Sequence, residues 1–235
     1  MSAGPRAGKG PKVLRTFACL AGTLDGRIAE TKHPDKRFGS QADLHHLLHT
    51  RLQADAVLVG GETFRQYPHF RRGNPQHAPL QCILTRTGNL PPESPLFQSM
   101  QANPAWRVVI FSPLDALPTL KKQYPETVQW VQLPEHSHPA RFICDYLQQK
   151  GIQALCIEGG GMLVNHFLQA RLLQEFFLTL CPLFLSGDGV PLLVSGEGFG
   201  IEDAPRTVVR SSHWIEQELY LHLEITYPTD PLSVE

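Results

Sequence analysis

One stretch decides how this chain folds: Ala154-Leu155-Cys156-Ile157-Glu158-Gly159-Gly160-Gly161-Met162. It predicts a buried strand that ends in a carboxylate, then three glycines, then the apolar start of a helix. Such a turn brings backbone N–H groups and the positive end of a helix to one point, which suits a phosphate or a dinucleotide. Glycines also serve plain tight turns, so the stretch by itself leaves both interpretations open.

The composition indicates a globular protein without a polyanionic or lipid partner. The chain has 235 residues, of which 42% are hydrophobic and 18% charged, and a formal net charge of −1. This balance gives no overall attraction to nucleic acid or to a membrane. No apolar run approaches the roughly 20 residues that span a bilayer. We therefore expect neither partner, and an anionic ligand has to be met by local basic residues.

Cysteine and histidine usage argues against a metal site. The five cysteines are odd in number and scattered, and no CxxC occurs. His45, His46 and His49 lie on one predicted helix without the spacing of a zinc site. We expect buried, reduced thiols in a cytoplasmic protein and no bound metal.

Strands alternate with helices up to about residue 170 and continue almost without helices after it. Hydrophobic periodicity predicts helices at 41–53, from Phe64, at 141–150 and from Met162. Residues 88–104 carry four prolines and are predicted to be a long surface loop. The predicted strands are 13–21, 55–59, 80–84, 106–111, 128–133, 154–157, 176–181, 206–210 and 218–225.

This order of elements predicts an α/β fold. A mainly parallel mixed sheet is flanked by helices and finished by an antiparallel C-terminal hairpin. The last strand alternates Leu219, Leu221 and Leu223 with polar residues, as an antiparallel edge strand with one wet face does. Residues 1–11 are predicted to be a flexible tail, and 12–235 a single domain.

Four loops leave the carboxyl ends of predicted strands, where open α/β sheets bind ligands. They are 60–63, 85–87, 112–113 and 158–161. Arg86, in the second of them, can pair with an extra phosphate on an adenosine ribose. The acidic residue that grips the ribose 2′-OH of NAD, about 20 positions after the glycines, is missing. A dinucleotide with a 2′-phosphate therefore fits this sequence better than NAD.

Three runs, in this order, resemble the signatures of a known family. Gly22-Thr23-Leu24-Asp25-Gly26-Arg27-Ile28-Ala29 resembles SLDGRIA, and Ala54-Asp55-Ala56-Val57-Leu58-Val59-Gly60-Gly61-Glu62-Thr63 resembles ADAILVGxxT. Glu158-Gly159-Gly160-Gly161, with 174–182 and Gly187, resembles the closing EGG…DE…P…G block. Over 13–225 the chain is similar to the reductase domain of the bifunctional riboflavin biosynthesis deaminase-reductase. It lacks the HxE and PCxxC elements of a zinc deaminase and resembles a stand-alone reductase.

The resemblance implies a dihydrofolate reductase-like fold, a three-layer α/β/α arrangement, and a homodimer. It implies an NADPH-dependent enzyme that adds a hydride to the ribose C1′ of 5-amino-6-(5-phosphoribosylamino)uracil and opens the sugar to a ribityl chain. In such chemistry the protein mainly positions the reactants and excludes water. Two alternatives stay open: a related reductase of another pyrimidine or pterin-like substrate, and a non-catalytic nucleotide-binding module.

The resemblance also implies site residues, although it assigns no catalytic one. Arg51, at the end of the first helix, and the carboxylate of Glu158 are expected to bind substrate; Glu158 can also simply favour a helix N-terminus. The other implied substrate contacts are Phe70, Arg71 and Arg72. The implied cofactor contacts are Ala21, Ile28, Phe38, Thr63, Arg86, Gly160, Gly161, Met162 and Leu163. Phe38 stands where the family often has tryptophan, and Gln66-Tyr67 where it usually has aspartate.

Overall fold

The computed structural model describes residues 13–30, 36–69, 78–103, 105–113 and 122–228. The predicted tail at 1–11 lies outside these residues. No helix in the described ranges is long and apolar enough to cross a membrane.

The described residues form nine strands and five helices, most of them within two or three residues of the predicted bounds. The strands are β1 Arg15–Thr23, β2 Ala56–Gly60, β3 Leu80–Leu84, β4 Val108–Ser112, β5 Val128–Gln132, β6 Ala154–Ile157, β7 Glu175–Cys181, β8 Arg206–Ile215 and β9 Glu218–Thr226. The helices are α1 Gln41–Arg51, α2 Gly61–Gln66, α3 Pro95–Ala102, α4 Pro139–Gln149 and α5 Gly161–Gln169.

All nine strands belong to one sheet with the order β5-β4-β3-β2-β6-β1-β7-β9-β8. The strands from β5 to β7 are parallel, and β9 runs antiparallel to both β7 and β8. The predicted α/β class and the antiparallel C-terminal hairpin are confirmed. Within the parallel part, Cys156 of β6 lies between Phe17 of β1 and Val57 of β2, so the opening stretch occupies the middle of the sheet.

Alternate residues of the central strands pack on opposite faces of the sheet. On β2, Ala56 and Leu58 join a core that includes residues of α4 and α5, whereas Val57 and Val59 belong to clusters on the other face. Both faces are therefore covered, as the hydrophobic runs of parallel strands require. On α4, Ala140, Ile143, Cys144 and Leu147 are buried at helical spacing.

The prediction that 218–225 forms the sheet edge is wrong. The strand β9 pairs on both sides, and β8 lies at the edge with all ten residues exposed. The sequence showed only the first half of β8, because the register shifts between Val209 and Ser211 and the alternation of side chains breaks there.

The predicted surface loop at 88–104 contains the helix α3. Pro95 occupies the start of this helix, where proline is well tolerated. Leu96, Phe97 and Met100 are buried, and the Phe97 ring centroid lies 5.6 Å from that of Phe64 on α2. The prolines that suggested a loop therefore border a short helix with a buried face.

The helix α1 is present as predicted, but it turns a polar face inward. Leu48 and Leu52 are 37% and 43% exposed, while Asp43, Thr50 and Arg51 are buried. An apolar stripe normally marks the buried side of a helix. Here Asp43 and Arg51 on the buried side line a cavity, which the spacing of the leucines does not reveal.

A carboxylate ties the parallel part of the sheet to the hairpin. On β7, Glu175 accepts hydrogen bonds from Arg15 Nε of β1 at 2.5 Å and Arg15 Nη2 at 2.9 Å. His222 Nε2 of β9 lies 2.7 Å from Glu175 Oε2. The hydrogen bonds from Arg15 hold the pKa of the Glu175 carboxyl below its ordinary value, against the opposing effect of burial.

We expect Glu175→Gln to lower the free energy of unfolding by about 1 kcal/mol near pH 7, because the bidentate ion pair is lost. A lowered native pKa stabilises the fold above the ordinary glutamate pKa of about 4.3, and this stabilisation is lost as the pH falls through the native value. Denaturant titrations across this range should show the deficit shrinking with acid. The control is Glu224→Gln, which breaks an exposed pair with Arg210 and should change little. A deficit that does not depend on pH would contradict the assignment.

Candidate active site

A cavity of about 460 Å³ opens at the carboxyl ends of β1, β2 and β6. The chain order across the sheet reverses at this point, which is where open α/β sheets place ligands. Its apolar wall includes Leu20, Ala21, Ile28, Ala29, Phe38, Leu44, Leu47 and Pro191. Its charged residues are Lys36, Arg37, Asp43, Arg51, Glu62 and Glu158. A pocket of this size, mostly apolar with a few polar groups, is typical of a small-molecule site.

Two glycine turns meet at the floor of the cavity. Gly159 and Gly160 have φ of +101° and +39°, a region that favours glycine. The Gly60 N–H donates to the Gly159 carbonyl at 3.2 Å, and the Gly160 N–H donates to Thr63 Oγ1 at 3.1 Å. The predicted turns after β2 and β6 therefore hold each other in place. No side chain caps α5 at Gly160.

The roof of the cavity consists of two segments joined through the backbone. The Ile28 N–H donates to the Pro191 carbonyl at 2.9 Å, and the Leu193 N–H donates to the Gly26 carbonyl at 2.9 Å. Beneath this ladder, a Cβ on Gly161 would collide with the carbonyl oxygen of Leu192. The segment around Leu192 therefore rests directly on the start of α5.

A buried ion pair joins α1 to the glycine turn. Arg51 Nε donates to Glu158 Oε1 at 2.5 Å, and Arg51 Nη2 donates to Glu158 Oε2 at 2.8 Å. The side chains are only 9% and 6% exposed. Burial disfavours the charge on the guanidinium, but Glu158 outweighs it, so the pKa of Arg51 is raised. The two residues predicted to grip a ligand thus form one bidentate unit in the cavity wall.

A second ion pair lies in the first turn of the same helix. Arg37 Nη2 donates to Asp43 Oδ2 at 2.7 Å, and the side chain of Thr179 also bonds to the Asp43 carboxylate. Burial raises the pKa of the Asp43 carboxyl, while Thr179 and Arg37 oppose the rise. The sequence indicated no role for Asp43 beyond a helix cap, because Ser40-Gln41-Ala42-Asp43 has the spacing of a capping box.

The thiols near the cavity are not nucleophiles. Cys19 lines the cavity, and Cys156 lies beside Glu158 with its sulfur 3.8 Å from Oε1. Burial raises the pKa of both thiols, so both stay protonated. All five cysteines are unpaired and buried. Among the described residues, no group of three or more His, Cys, Asp or Glu side chains is arranged to hold a metal ion.

The structure brings six of the predicted site residues together. The residues Ala21, Ile28, Phe38, Arg51, Thr63 and Glu158 all line the cavity. Gln66 and Tyr67, which replace the usual aspartate, line it too. Asp25 does not, because its carboxylate accepts hydrogen bonds from the Thr23 hydroxyl and from the Ser186 N–H.

The other predicted site residues lie away from the cavity wall or outside the described residues. Met162 is 58% exposed, and the side chain of Leu163 packs in the core. Arg86 is exposed just after β3. Gly160 and Gly161 form the start of α5 next to the cavity, where only their backbone can reach a ligand. Phe70, Arg71 and Arg72 lie outside the described residues.

The cavity suits a nicotinamide dinucleotide in its chemistry. The glycine turn leaves no side chain between the backbone and a ligand, and Thr63 fixes the direction of the Gly160 N–H. The apolar wall that contains Ala21, Ile28 and Phe38 suits an aromatic ring. The cation Lys36 supplies positive charge for an anionic ligand, while the charge of Arg37 is paired with Asp43.

Fold and cavity together define the class: an α/β protein of the dihydrofolate reductase-like type, with a ligand site at the carboxyl ends of its parallel strands. Residues 16–216 match the family described as the RibD C-terminal domain, and the chain belongs to this family. The family assignment predicted from the three sequence runs is therefore confirmed.

Relatives in this family include named reductases. The 2,5-diamino-6-ribosylamino-4(3H)-pyrimidinone 5′-phosphate reductase of Archaeoglobus fulgidus is 23% identical over 195 residues, which are 78% of this chain and 87% of that protein. The riboflavin biosynthesis protein RibD of Chlamydia pneumoniae is 25% identical over 225 residues, which are 90% of this chain but 57% of that protein. A pyrimidine reductase-like protein from Corynebacterium diphtheriae shares the fold with a TM-score of 0.75, 18% identity, and coverage of 92% and 93%.

We expect Arg51→Met and Glu158→Gln each to lower the free energy of unfolding by about 3 kcal/mol, because each leaves a buried charge without its partner. The double variant should cost less than the sum of the single variants by at least about 1 kcal/mol. Denaturant titrations of all four proteins measure this coupling. The exposed pair Glu62–Arg65, mutated in the same way, serves as control and should show almost no coupling. Additive losses at Arg51 and Glu158 would contradict a mutually dependent pair.

Proposed function

We propose that this protein is an NADPH-dependent reductase of riboflavin biosynthesis that acts on a phosphorylated ribosylamino-pyrimidine. One observation carries the proposal: Ile28, Thr63 and Glu158, one residue from each of the three family signatures, meet in one cavity. Arg51 joins them there through its ion pair with Glu158. The Archaeoglobus relative, matched over most of its length, bears the name of such a reductase. A cytoplasmic location, consistent with five unpaired cysteines, belongs to the same proposal.

The cofactor proposal rests on the turn after β6 and the apolar wall opposite it. Gly161 would hold a phosphate group through its backbone N–H, and Gly160, whose own N–H donates to Thr63, would let the phosphate approach because it has no side chain. Ala21, Ile28 and Phe38 would contact a ring. Thr63 would hold the turn in the conformation that exposes this backbone. Met162 would contribute its N–H from the first turn of α5, and Leu163, whose N–H donates to the Gly160 carbonyl at 2.9 Å, would hold that turn in shape. Bound NADPH supplies a hydride.

The substrate proposal places the sugar phosphate near Arg51 and Glu158. These residues are held bidentate, so they present fixed hydrogen-bonding atoms rather than mobile charges. Phe70, Arg71 and Arg72 remain proposed substrate contacts, and the arginines would meet the phosphate.

The protein's own part in the reaction is to position the reactants and exclude water. The roof formed by Ile28 and Pro191, and the wall formed by Leu44 and Leu47, are apolar, so water is disfavoured between the bound molecules. When a hydride adds to C1′ of the neutral imine, the imine nitrogen must also gain one proton, which converts it to an amine nitrogen. No thiolate contributes, since burial keeps Cys19 protonated.

The proposal is tested by mixing the pure protein with NADPH and a phosphoribosylamino-pyrimidine and following the absorbance of the reduced nicotinamide. We expect oxidation that depends on the substrate. Binding of NADPH without oxidation, measured by calorimetry, would instead identify a non-catalytic nucleotide-binding module. Absence of NADPH binding would overturn the enzyme proposal.

The same assay tests cofactor choice. If Arg86 pairs with the 2′-phosphate, Arg86→Ala should raise the KM for NADPH by about tenfold or more and leave the KM for NADH nearly unchanged, since an ionic hydrogen bond contributes about 1.5–3 kcal/mol. Arg107→Ala is the control, because Arg107 is also exposed but lies just before the start of β4, whereas Arg86 lies just after the end of β3. Equal losses for the two cofactors would remove Arg86 from this role.

We further propose that the protein is a homodimer that uses the edge of the sheet at β8. All ten residues of this strand are exposed, and they include Val208, Val209, Trp214 and Ile215. Proteins usually cover or charge such an apolar edge strand, because its unpaired backbone groups recruit another strand. A second copy of this chain would cover it symmetrically.

Val209→Glu combined with Trp214→Glu should convert the dimer to a monomer, because two charges would be buried in the interface. Light scattering coupled to gel filtration measures the mass in solution. Ile201→Glu is the control, since Ile201 is 81% exposed but lies outside β8. A monomeric parent protein, or a dimer that survives the double substitution, would contradict the proposed interface.

A further inference from the structure

The charged group at the N-terminal end of α1 has no task in the proposed chemistry so far. Asp43 is 5% exposed and lines the cavity, in the first turn of the helix. A buried carboxylate is costly unless hydrogen bonds satisfy it. Its presence in a cavity wall therefore calls for a reason.

Helix capping does not supply that reason. In a capping box, the acidic side chain three residues after the cap returns to the N–H of the cap residue. Here the Ser40 N–H donates to Glu218 Oε1 at 2.8 Å, and the Ser40 hydroxyl donates to Glu218 Oε2 at 2.6 Å. Glu218, from β9, thus occupies the place of the capping carboxylate, and the Asp43 carboxylate is directed elsewhere.

The surroundings of Asp43 fix its position without using all its acceptor sites. A carboxylate offers about four lone-pair sites. From the described part of the chain it receives hydrogen bonds from Arg37 and from Thr179. A side chain on Gly39 would collide with Oδ2, so the glycine leaves the space that the carboxylate fills. Acceptor capacity remains for a ligand that brings N–H donors.

The position of Asp43 relative to the Arg51–Glu158 pair suits one elongated ligand. Asp43 and Arg51 both lie on α1, eight residues apart, which corresponds to about 12 Å along the helix axis. Leu44 and Leu47 line the cavity between them. A ligand with a sugar phosphate at one end and a heterocycle at the other can therefore reach both charged positions.

We propose, on the basis of the reductase function proposed above, that Asp43 recognises the heterocycle and selects a 2-aminopyrimidin-4-one over a uracil. The 2-amino group and the ring N3–H form two adjacent donors whose spacing matches the two oxygens of a carboxylate. A uracil presents a carbonyl oxygen in place of the amino group, and this oxygen would face the Asp43 carboxylate without a hydrogen bond. The favoured substrate is thus 2,5-diamino-6-ribosylamino-4(3H)-pyrimidinone 5′-phosphate, the compound in the name of the Archaeoglobus relative.

The energetics of the buried carboxylate agree with this assignment. Burial raises the pKa of Asp43, so its charged form is less favourable in the fold than in water. Two N–H donors from a ligand would stabilise the charged form and offset this cost. A ligand without the second donor would leave an acceptor facing an acceptor, which is the arrangement that discriminates most strongly between similar substrates.

The test compares the two substrates with the full chain and NADPH. The parent protein should show a kcat/KM for the diaminopyrimidinone at least about 100-fold above that for 5-amino-6-(5-phosphoribosylamino)uracil. Asp43→Asn should reduce this ratio by at least about 30-fold, because the amide N–H₂ can donate to the uracil carbonyl. Calorimetry with 2,6-diaminopyrimidin-4-one and 6-aminouracil, without cofactor, should show the same loss of preference in binding.

Two further variants separate recognition from a structural role. Arg37→Gln removes the ionic partner of Asp43 and should lower both kcat/KM values while keeping their ratio within about threefold, since the donor-matching carboxylate remains. Glu218→Gln weakens the cap on Ser40 and should lower the thermal midpoint without changing the ratio. Thermal unfolding of Asp43→Asn confirms that this variant is folded.

The outcomes distinguish this proposal from the function on which it rests. If neither substrate leads to the oxidation of NADPH, the reductase function is overturned. Reduction of both substrates at similar rates, or a preference for the uracil, would overturn the selectivity and leave the reductase function standing. A preference that persists in Asp43→Asn, or that Arg37→Gln abolishes to the same extent, would remove Asp43 from the recognition of the heterocycle.

Discussion

The bidentate ion pair between Arg51 and Glu158 is the constraint on which the cavity depends. Removing a charge from water costs several kcal/mol, so neither residue is tolerable at its depth without the other. The pair joins the last residue of α1 to the residue that follows β6. It thereby fixes the distance between the helix that forms one wall and the glycine turn that forms the floor. The turn after β2, bonded to the same floor through Gly60, is positioned as a consequence.

The first helix illustrates how a functional surface can reverse the usual pattern of burial. Its leucines are partly exposed, and its buried residues include Asp43, Thr50 and Arg51. Each buried charge has its own partner, supplied by a different part of the chain. The helix therefore contributes more to the chemistry of the cavity than to the apolar core, and its position is determined by polar contacts of well-defined geometry.

The parts of the fold that were predictable are those where one physical signal dominates. Buried parallel strands such as β2 and β6 are continuous apolar runs between turn residues, and their class was predicted correctly. The helix α3 was missed because prolines suggested a loop, and half of β8 was missed because a register shift breaks its alternation. The pairing of Arg51 with Glu158 joins residues 107 positions apart, and only the family resemblance linked them. The sequence suggested Asp43 as the capping carboxylate because the residue that bonds to the Ser40 N–H, Glu218, comes from the last strand.

The backbone ladder over the cavity determines where the sequence tolerates change. Because Ile28 and Pro191 are joined through main-chain atoms, the roof does not require particular side chains at its bonded positions. What it requires is empty space beneath it, at Gly161 under the Leu192 carbonyl and at Gly22 against the Leu193 side chain. The geometry of the roof should therefore constrain the sequence at glycines in two other elements, Gly22 in β1 and Gly161 in α5. In a set of homologous sequences, the roof segment around Leu192 would vary while these two distant positions stayed small.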